Sequence, residues 1–101
     1  MEKQIFNGYV ITRHRKNVTK LATRLKDRAC HLLSGGKNLE ETAEVLRSYL
    51  KEVEYKGSMY ISYMPVSDWN NSDGLFIRNS SGDYTLVSIR PEKETENNNE
   101  E

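Results

Sequence analysis

An α+β fold, with a helical hairpin packed on one face of a small, mostly antiparallel sheet, follows from three observations on this 101-residue chain. Two amphipathic patterns of helical period sit back to back between Asn17 and Val53. Short runs of apolar, β-branched and aromatic residues flank them on both sides. The stretch from Glu92 to Glu101 holds no apolar side chain at all. The expected order is strand, helix, helix, strand, strand, strand, in one domain over residues 1–90 with a disordered acidic tail over 91–101.

The first strand is expected between Lys3 and Thr12, where Ile5, Phe6, Tyr9, Val10 and Ile11 favour extended chain. Gly8 interrupts the run, and because the apolar residues do not alternate cleanly, either both faces of the strand are covered or Gly8 marks a bulge. A basic connection, Arg13 to Lys16, leads into the first helix. There Val18, Leu21, Leu25, Ala29 and Leu32 recur at three- and four-residue steps and form one stripe of a 3.6-residue helix. Gly35-Gly36 can take the left-handed conformation that ends it. The second helix repeats the pattern with Leu39, Ala43, Leu46, Leu50 and Val53, broadened by Val45 and Tyr49. Asn38 is its expected cap, with Glu41 placed to complete a capping box.

Tyr55 to Ser58 reads as a turn, and Met59 to Met64 as a strand that Pro65 ends or confines to an edge. A polar loop, Ser67 to Gly74, carries Trp69. Leu75–Arg78 and Tyr84–Arg90, joined by Asn79 to Asp83, complete a hairpin. The three C-terminal strands are expected to form an antiparallel meander, with the first strand pairing one of them. Val10, Ile61, Ile77, Val87 and Ile89 are the residues expected under the helices.

Composition narrows the class. One cysteine, Cys30, leaves no internal disulfide and no multi-cysteine zinc site, and no apolar run approaches the roughly 18 residues of a membrane span, so a cytosolic protein is expected. Cys30 falls off the apolar stripe and reads as a partly covered thiol without chemical role, and His31 lies on another helix face. The zero net charge hides a polarity: residues 1–37 hold nine basic and two acidic side chains, and the remainder six basic and thirteen acidic.

Two groups of residues suggest contact surfaces. Lys20, Arg24, Arg28 and His31 fall in about one quarter of the first helix's wheel, led in by Arg13, Arg15 and Lys16, a pattern able to neutralise several phosphates. Glu40, Glu41, Glu44, Glu52 and Glu54 on and after the second helix offer an alternative, pairing with that stripe within the chain or across a dimer. The second group is aromatic. Tyr60 and Met64 share a strand face opposite Met59, Ile61 and Tyr63, so one of these sets is left for a partner, and Trp69 is either a lid on the core or an anchor.

Signals for catalysis are weak. Neither His14 nor His31 stands in a motif, Asp68 and Asp73 lack metal-ligand spacing, and no glycine-rich phosphate loop follows a strand, so no cofactor, metal or catalytic residue is expected. Acid-base work by His14 or His31 with Arg78 or Arg90 has no motif behind it.

The order of elements across residues 5 to 90 resembles that of the RelE/ParE toxin family, which implies cleavage of messenger RNA on the ribosome. No catalytic motif carries over residue by residue, and the zero net charge is unlike a basic ribonuclease toxin. Asp73 to Leu86 also resembles the central hairpin of SH2 domains, which implies that Arg78 would hold phosphotyrosine, although the second half of such a domain is absent here. The expectation from the residues themselves is a small non-enzymatic binding protein, of the accessory, regulatory or inhibitor kind that phages and mobile elements encode. It would act by protein-protein contact or as a homodimer through Tyr60, Tyr63, Met64 and Trp69. The alternatives are nucleic-acid binding through Arg13, Arg15, Lys16, Lys20, Arg24 and Arg28, and a RelE-like ribonuclease. The acidic tail is read as a solubility device or as a screen over the basic stripe.

Overall fold

Two helices lie on one face of a five-stranded antiparallel sheet. The computed structural model describes residues 2–15, 19–65 and 73–92. In chain order the elements are β1 (Glu2–Phe6), β2 (Tyr9–Arg13), α1 (Lys20–Ser34), α2 (Leu39–Glu52), β3 (Met59–Met64), β4 (Gly74–Asn79) and β5 (Tyr84–Pro91). The sheet order is β1-β2-β5-β4-β3, so β3, β4 and β5 form the expected meander and β2 pairs with β5.

The stretch expected as one strand is a hairpin. Asn7 and Gly8 have φ of 51° and 85°, the two positive values that a two-residue type I′ turn requires, and asparagine and glycine are the residues that adopt them most readily. The tip is fastened on both sides: Asn7 Nδ2 donates to the Leu33 carbonyl at 3.1 Å, and the Glu92 amide donates to the Gly8 carbonyl at 2.9 Å. The last strand therefore continues through Pro91, opposite Tyr9, one residue past the expected end of the domain. The tail beyond Glu92 lies outside the described residues.

The turn also decides which side chains of β2 face the helices. Ile11 stands opposite Ile89 and is 2% exposed, whereas Val10 stands opposite Arg90 on the other face and is only half-buried. Val10 is thus not under the helices. A strand alternates its side chains strictly, so placing Ile11 against the core sends Val10 outward. Ile61, Ile77, Val87 and Ile89 occupy the inner face as expected. Between Ile77 and Arg78 the register slips, with Ile77 opposite Val87 but Arg78 opposite Thr85. Leu86 is the extra residue of this bulge, and both it and Val87 are buried.

Helix α1 begins at Lys20, three residues later than the sequence pattern suggests, with Thr19 as its cap: Thr19 Oγ1 accepts from the Ala22 amide at 3.1 Å. Val18 lies outside the described residues. The buried stripe is Ala22, Leu25, Ala29 and Leu33, and Leu21 and Leu32 flank it half-buried. Helix α2 starts as expected, since Asn38 Oδ1 accepts from the Glu41 amide at 2.8 Å and Glu41 Oε1 accepts from the Asn38 amide at 3.1 Å. Leu39, Thr42, Ala43 and Leu46 are buried, while Val53 is the C-cap and 48% exposed. Fully buried alanines at 22, 29 and 43 allow the helices to sit close to each other and to the sheet. Removing Leu25, Leu46, Leu75, Ile77 and Ile89 from water contributes about 1.5–3 kcal/mol each.

Candidate binding surfaces

The helices cover only one side of the sheet. On the other, strand alternation places Lys3, Ile5, Val10, Thr12, Ser88, Arg90, Phe76, Arg78, Tyr60, Ser62 and Met64. Three of these are among the large apolar groups left exposed: Ile5 at 58%, Tyr60 at 39% and Met64 at 48%. Ile5, Val10 and Arg90 stand opposite one another on β1, β2 and β5, and Met64 stands opposite Gly74, which lies beside the Arg90 side chain, so these residues run across all five strands. Among the described residues no strand carboxylate points to this face.

At its middle, Ser88 is 6% exposed and its Oγ lies 2.9 Å from His14 Nε2. Burial pushes the His14 imidazole below its ordinary value, so the ring is neutral near pH 7. A neutral imidazole on a hydroxyl is the first contact of a base-assisted nucleophile. Here the serine is in the middle of a strand, and among the described residues no carboxylate orients the other ring nitrogen. The pair satisfies a buried hydroxyl. Arg78, the arginine of the hairpin that resembles an SH2 element, forms an ion pair with Asp83 at 3.1 Å.

The sheet's edges are guarded. On the open side of β3 the Met59 amide donates to Tyr55 Oη at 3.1 Å, and the Ile61 carbonyl accepts from Arg47 Nε at 3.3 Å. Both side chains occupy backbone groups that an incoming strand would need. The opposite edge, β1, exposes Glu2, Lys3 and Gln4, which discourages pairing in the same way.

Of the four residues expected to meet a partner, Tyr60 and Met64 lie together on the open face. Tyr63 lies on the helix side, where its hydroxyl donates to Asp73 Oδ2 at 3.3 Å, and burial together with that carboxylate holds its phenol above the ordinary value. Trp69 lies outside the described residues. Ile5 and Phe76 complete the open face, and the sequence reading missed them. The signal for Ile5 was present in Asn7-Gly8, which makes a hairpin of the first run and exposes its outer strand.

The six cations read from the sequence as a polyanion site separate into groups. Arg13 sits between β1 and α1, paired with Glu2 at 2.6 Å, in a groove of about 460 Å³ that Lys3, Gln4, Ile11 and Lys26 also line. Arg15 stacks on Tyr84, with its guanidinium carbon 4.1 Å from the ring centre. Lys16 lies outside the described residues. Lys20, Arg24 and Arg28 remain together, exposed along the outward face of α1. His31 continues the line, and Arg28 lies over the Tyr49 ring of α2 at 5.4 Å. Two shallow clefts of about 320 and 310 Å³ meet at Arg24 and Asp27.

The acidic residues of α2 do not neutralise this line. Glu41 is engaged in the cap and Glu44 pairs with Arg47 at 3.0 Å, both on α2 itself. Asp27 pairs with Lys26 at 3.4 Å. Among the described residues no ion pair involves Lys20, Arg24 or Arg28. Cys30 faces the opposite flank of α1 and is half-buried, and burial pushes its thiol up against the smaller opposing effect of Lys26. No group of three or more metal-ligating side chains occurs among the described residues, and no helix there is long and apolar enough to cross a membrane.

No protein-family model matches the chain, and no curated protein or solved structure shows significant similarity to it.

Proposed function

We propose that this protein is a non-enzymatic binding module whose open sheet face docks another protein. The observation that carries this reading is that three of the four large hydrophobic residues exposed among the described ones, Ile5, Tyr60 and Met64, stand on the one sheet face without helices, the fourth being Val53 at the end of α2. Ile5 on β1 and Tyr60 and Met64 on β3 stand at the two edges of that face, with half-buried Val10 and Phe76 between them, and apolar groups sharing one face mark a contact surface. Guarded edges favour contact through the face over addition of a strand.

Charge selects the kind of partner. Lys3, Arg78 and Arg90 share the face, Arg78 paired with Asp83, so its polar surround is largely basic. A different protein with an apolar centre and carboxylates around it is the complementary surface. Five strands at about 4.8 Å spacing and some five residues at about 3.3 Å give a face of roughly 400 Å². That is about half the area per partner of a standard interface, so the contact is expected to be transient.

The test places a photo-crosslinking residue at position 60, on the open face, and in a second protein at position 48, exposed on α2. Expected are a monomer in light scattering and a discrete crosslinked partner from position 60 alone, lost on Met64→Glu in a protein that still folds. Identical crosslinks from both positions, or a stable dimer joined through position 60, would overturn the reading.

A further inference from the structure

We propose that the outward face of α1 is a site for the phosphodiester backbone of nucleic acid, with Lys20, Arg24 and Arg28 as the phosphate contacts. It stands on the helical layer, opposite the sheet face, and does not rest on the reading of that face.

The first support is the spacing. The three cations recur every four residues, so they project from one side of the helix at steps of about 6 Å. His31 extends the line by another turn and Tyr49 stands beside Arg28, which gives the row an aromatic flank. Arginine presents a planar fork of donors that matches phosphate oxygens.

The second support is that the arrangement opposes the stability of its own helix. The first turn of α1 has no acidic residue and begins with Lys20, where the helix dipole favours negative charge. Lys20 and Arg24, and again Arg24 and Arg28, are like-charge neighbours four residues apart, which repel. The adjacent helix does the reverse, with Glu40 and Glu41 in its first turn. Local rules broken in one element and obeyed in its twin mark a surface shaped by something other than folding.

The third support is that the charge is free to act. Among the described residues no ion pair forms to Lys20, Arg24 or Arg28: Asp27, the carboxylate that lines both of their clefts, pairs with Lys26 at 3.4 Å instead, and the glutamates of α2 do not reach them. The neutral total also hides an uneven distribution of charge along the chain. Four glutamates and one lysine lie from Lys93 onward, so residues 1–92 carry a formal +3.

The test is fluorescence anisotropy on the full chain with a labelled mixed-sequence oligonucleotide, as single-stranded RNA, single-stranded DNA and duplex DNA in parallel. Three phosphate contacts predict that duplex affinity falls about 40-fold between roughly 50 and 200 mM salt. Arg24→Gln with Arg28→Gln leaves one contact and should reduce that fall to about 3- to 4-fold, with affinity at low salt down by more than about tenfold. Lys51→Gln with Lys56→Gln, elsewhere on the surface, should change little. Circular dichroism of the arginine variant establishes that it folds. No binding of any oligonucleotide at low salt would overturn the proposal, as would a salt slope that the arginine variant leaves unchanged. Displacement of the oligonucleotide by poly-glutamate at equal charge would also overturn it, because the row would then read carboxylates as readily as phosphates and would suit an acidic protein.

Discussion

Helices α1 and α2 have nearly the same length, 15 and 14 residues, and pack on the same sheet, yet they are built on opposite principles. In α2 a full capping box closes the start, glutamates fill the first turn, Lys51 stands in the last, and Arg47 pairs with Glu44. In α1 only the Thr19 hydroxyl caps the start, and cations line the exposed face from the first turn onward. Both bury a stripe of four residues, all apolar in α1 and including Thr42 in α2. Tertiary packing is therefore sufficient to hold a helix whose surface charge works against it, which leaves that surface available for binding.

This comparison can be broken first in the core. Leu25→Ala on α1 and Leu46→Ala on α2, both fully buried, should each lower unfolding free energy by about 2–5 kcal/mol in urea titration. A loss under about 1 kcal/mol at Leu25 alone would mean that α1 is not held by its buried stripe.

Caps come next. Asn38→Ala should cost about 1 kcal/mol, and Thr19→Ala a similar or smaller amount because it removes one hydrogen bond where Asn38→Ala dismantles a reciprocal pair. Equal denaturation midpoints for wild type and Asn38→Ala would remove the distinction between the two helix starts.

One feature of α2 runs against its own pattern. Thr42 is fully buried and its Oγ1 has no hydrogen-bond partner among the described residues. Thr42→Val keeps the shape and removes the unsatisfied hydroxyl, so thermal unfolding should show a protein between unchanged and about 1 kcal/mol more stable.

Exchanging charge sharpens the contrast. Lys20→Glu should stabilise by about 0.3–1 kcal/mol at low ionic strength, and Glu40→Lys should destabilise by a similar amount, both differences shrinking as salt is added. Destabilisation by Lys20→Glu would show that the lysine has a structural role and that the charge of the α1 face serves folding.

The smallest effect concerns His14. Its folded pKa lies below the ordinary value of about 6.5, so the unfolded chain takes up the proton first as pH falls. Its contribution to stability is present above that value and is lost as pH drops toward the folded pKa. A proton NMR titration should place His14 below about 6.5, and Ser88→Ala should move it.

Much of the architecture was legible. The period of Leu39, Ala43 and Leu46, the Asn38 cap with Glu41, and the strand at Met59 to Met64 with Tyr60 and Met64 on one face all follow from spacing, because helix and strand periods are properties of the backbone. The hairpin at the start was misread although its signal was there, since Asn7-Gly8 asks for a turn and the apolar run around it suggested one continuous strand. The bulge at Leu86 did leave a local trace, since the apolar positions run 84, 86 and then 87, 89, a slip of one in the alternation between Leu86 and Val87. Charge position could not be read. A wheel places Lys20, Arg24 and Arg28 together, but whether α2's glutamates reach them depends on how the helices are turned.

By itself the chain determined its helical hairpin, the Asn38 cap of α2, the last three strands with Ile61, Ile77, Val87 and Ile89 on their inner face, and the polarity of its charge. These depend on neighbours within a few positions, where geometry is set by the covalent chain. Only the tertiary structure decided that Ile11 and not Val10 meets the core, that Arg13 and Arg15 are taken up by Glu2 and Tyr84, and that Lys20, Arg24 and Arg28 stay unpaired among the described residues. Those outcomes turn on register and on the relative rotation of packed elements. A shift of one residue in a strand, or a modest turn of a helix, changes them without altering any local preference.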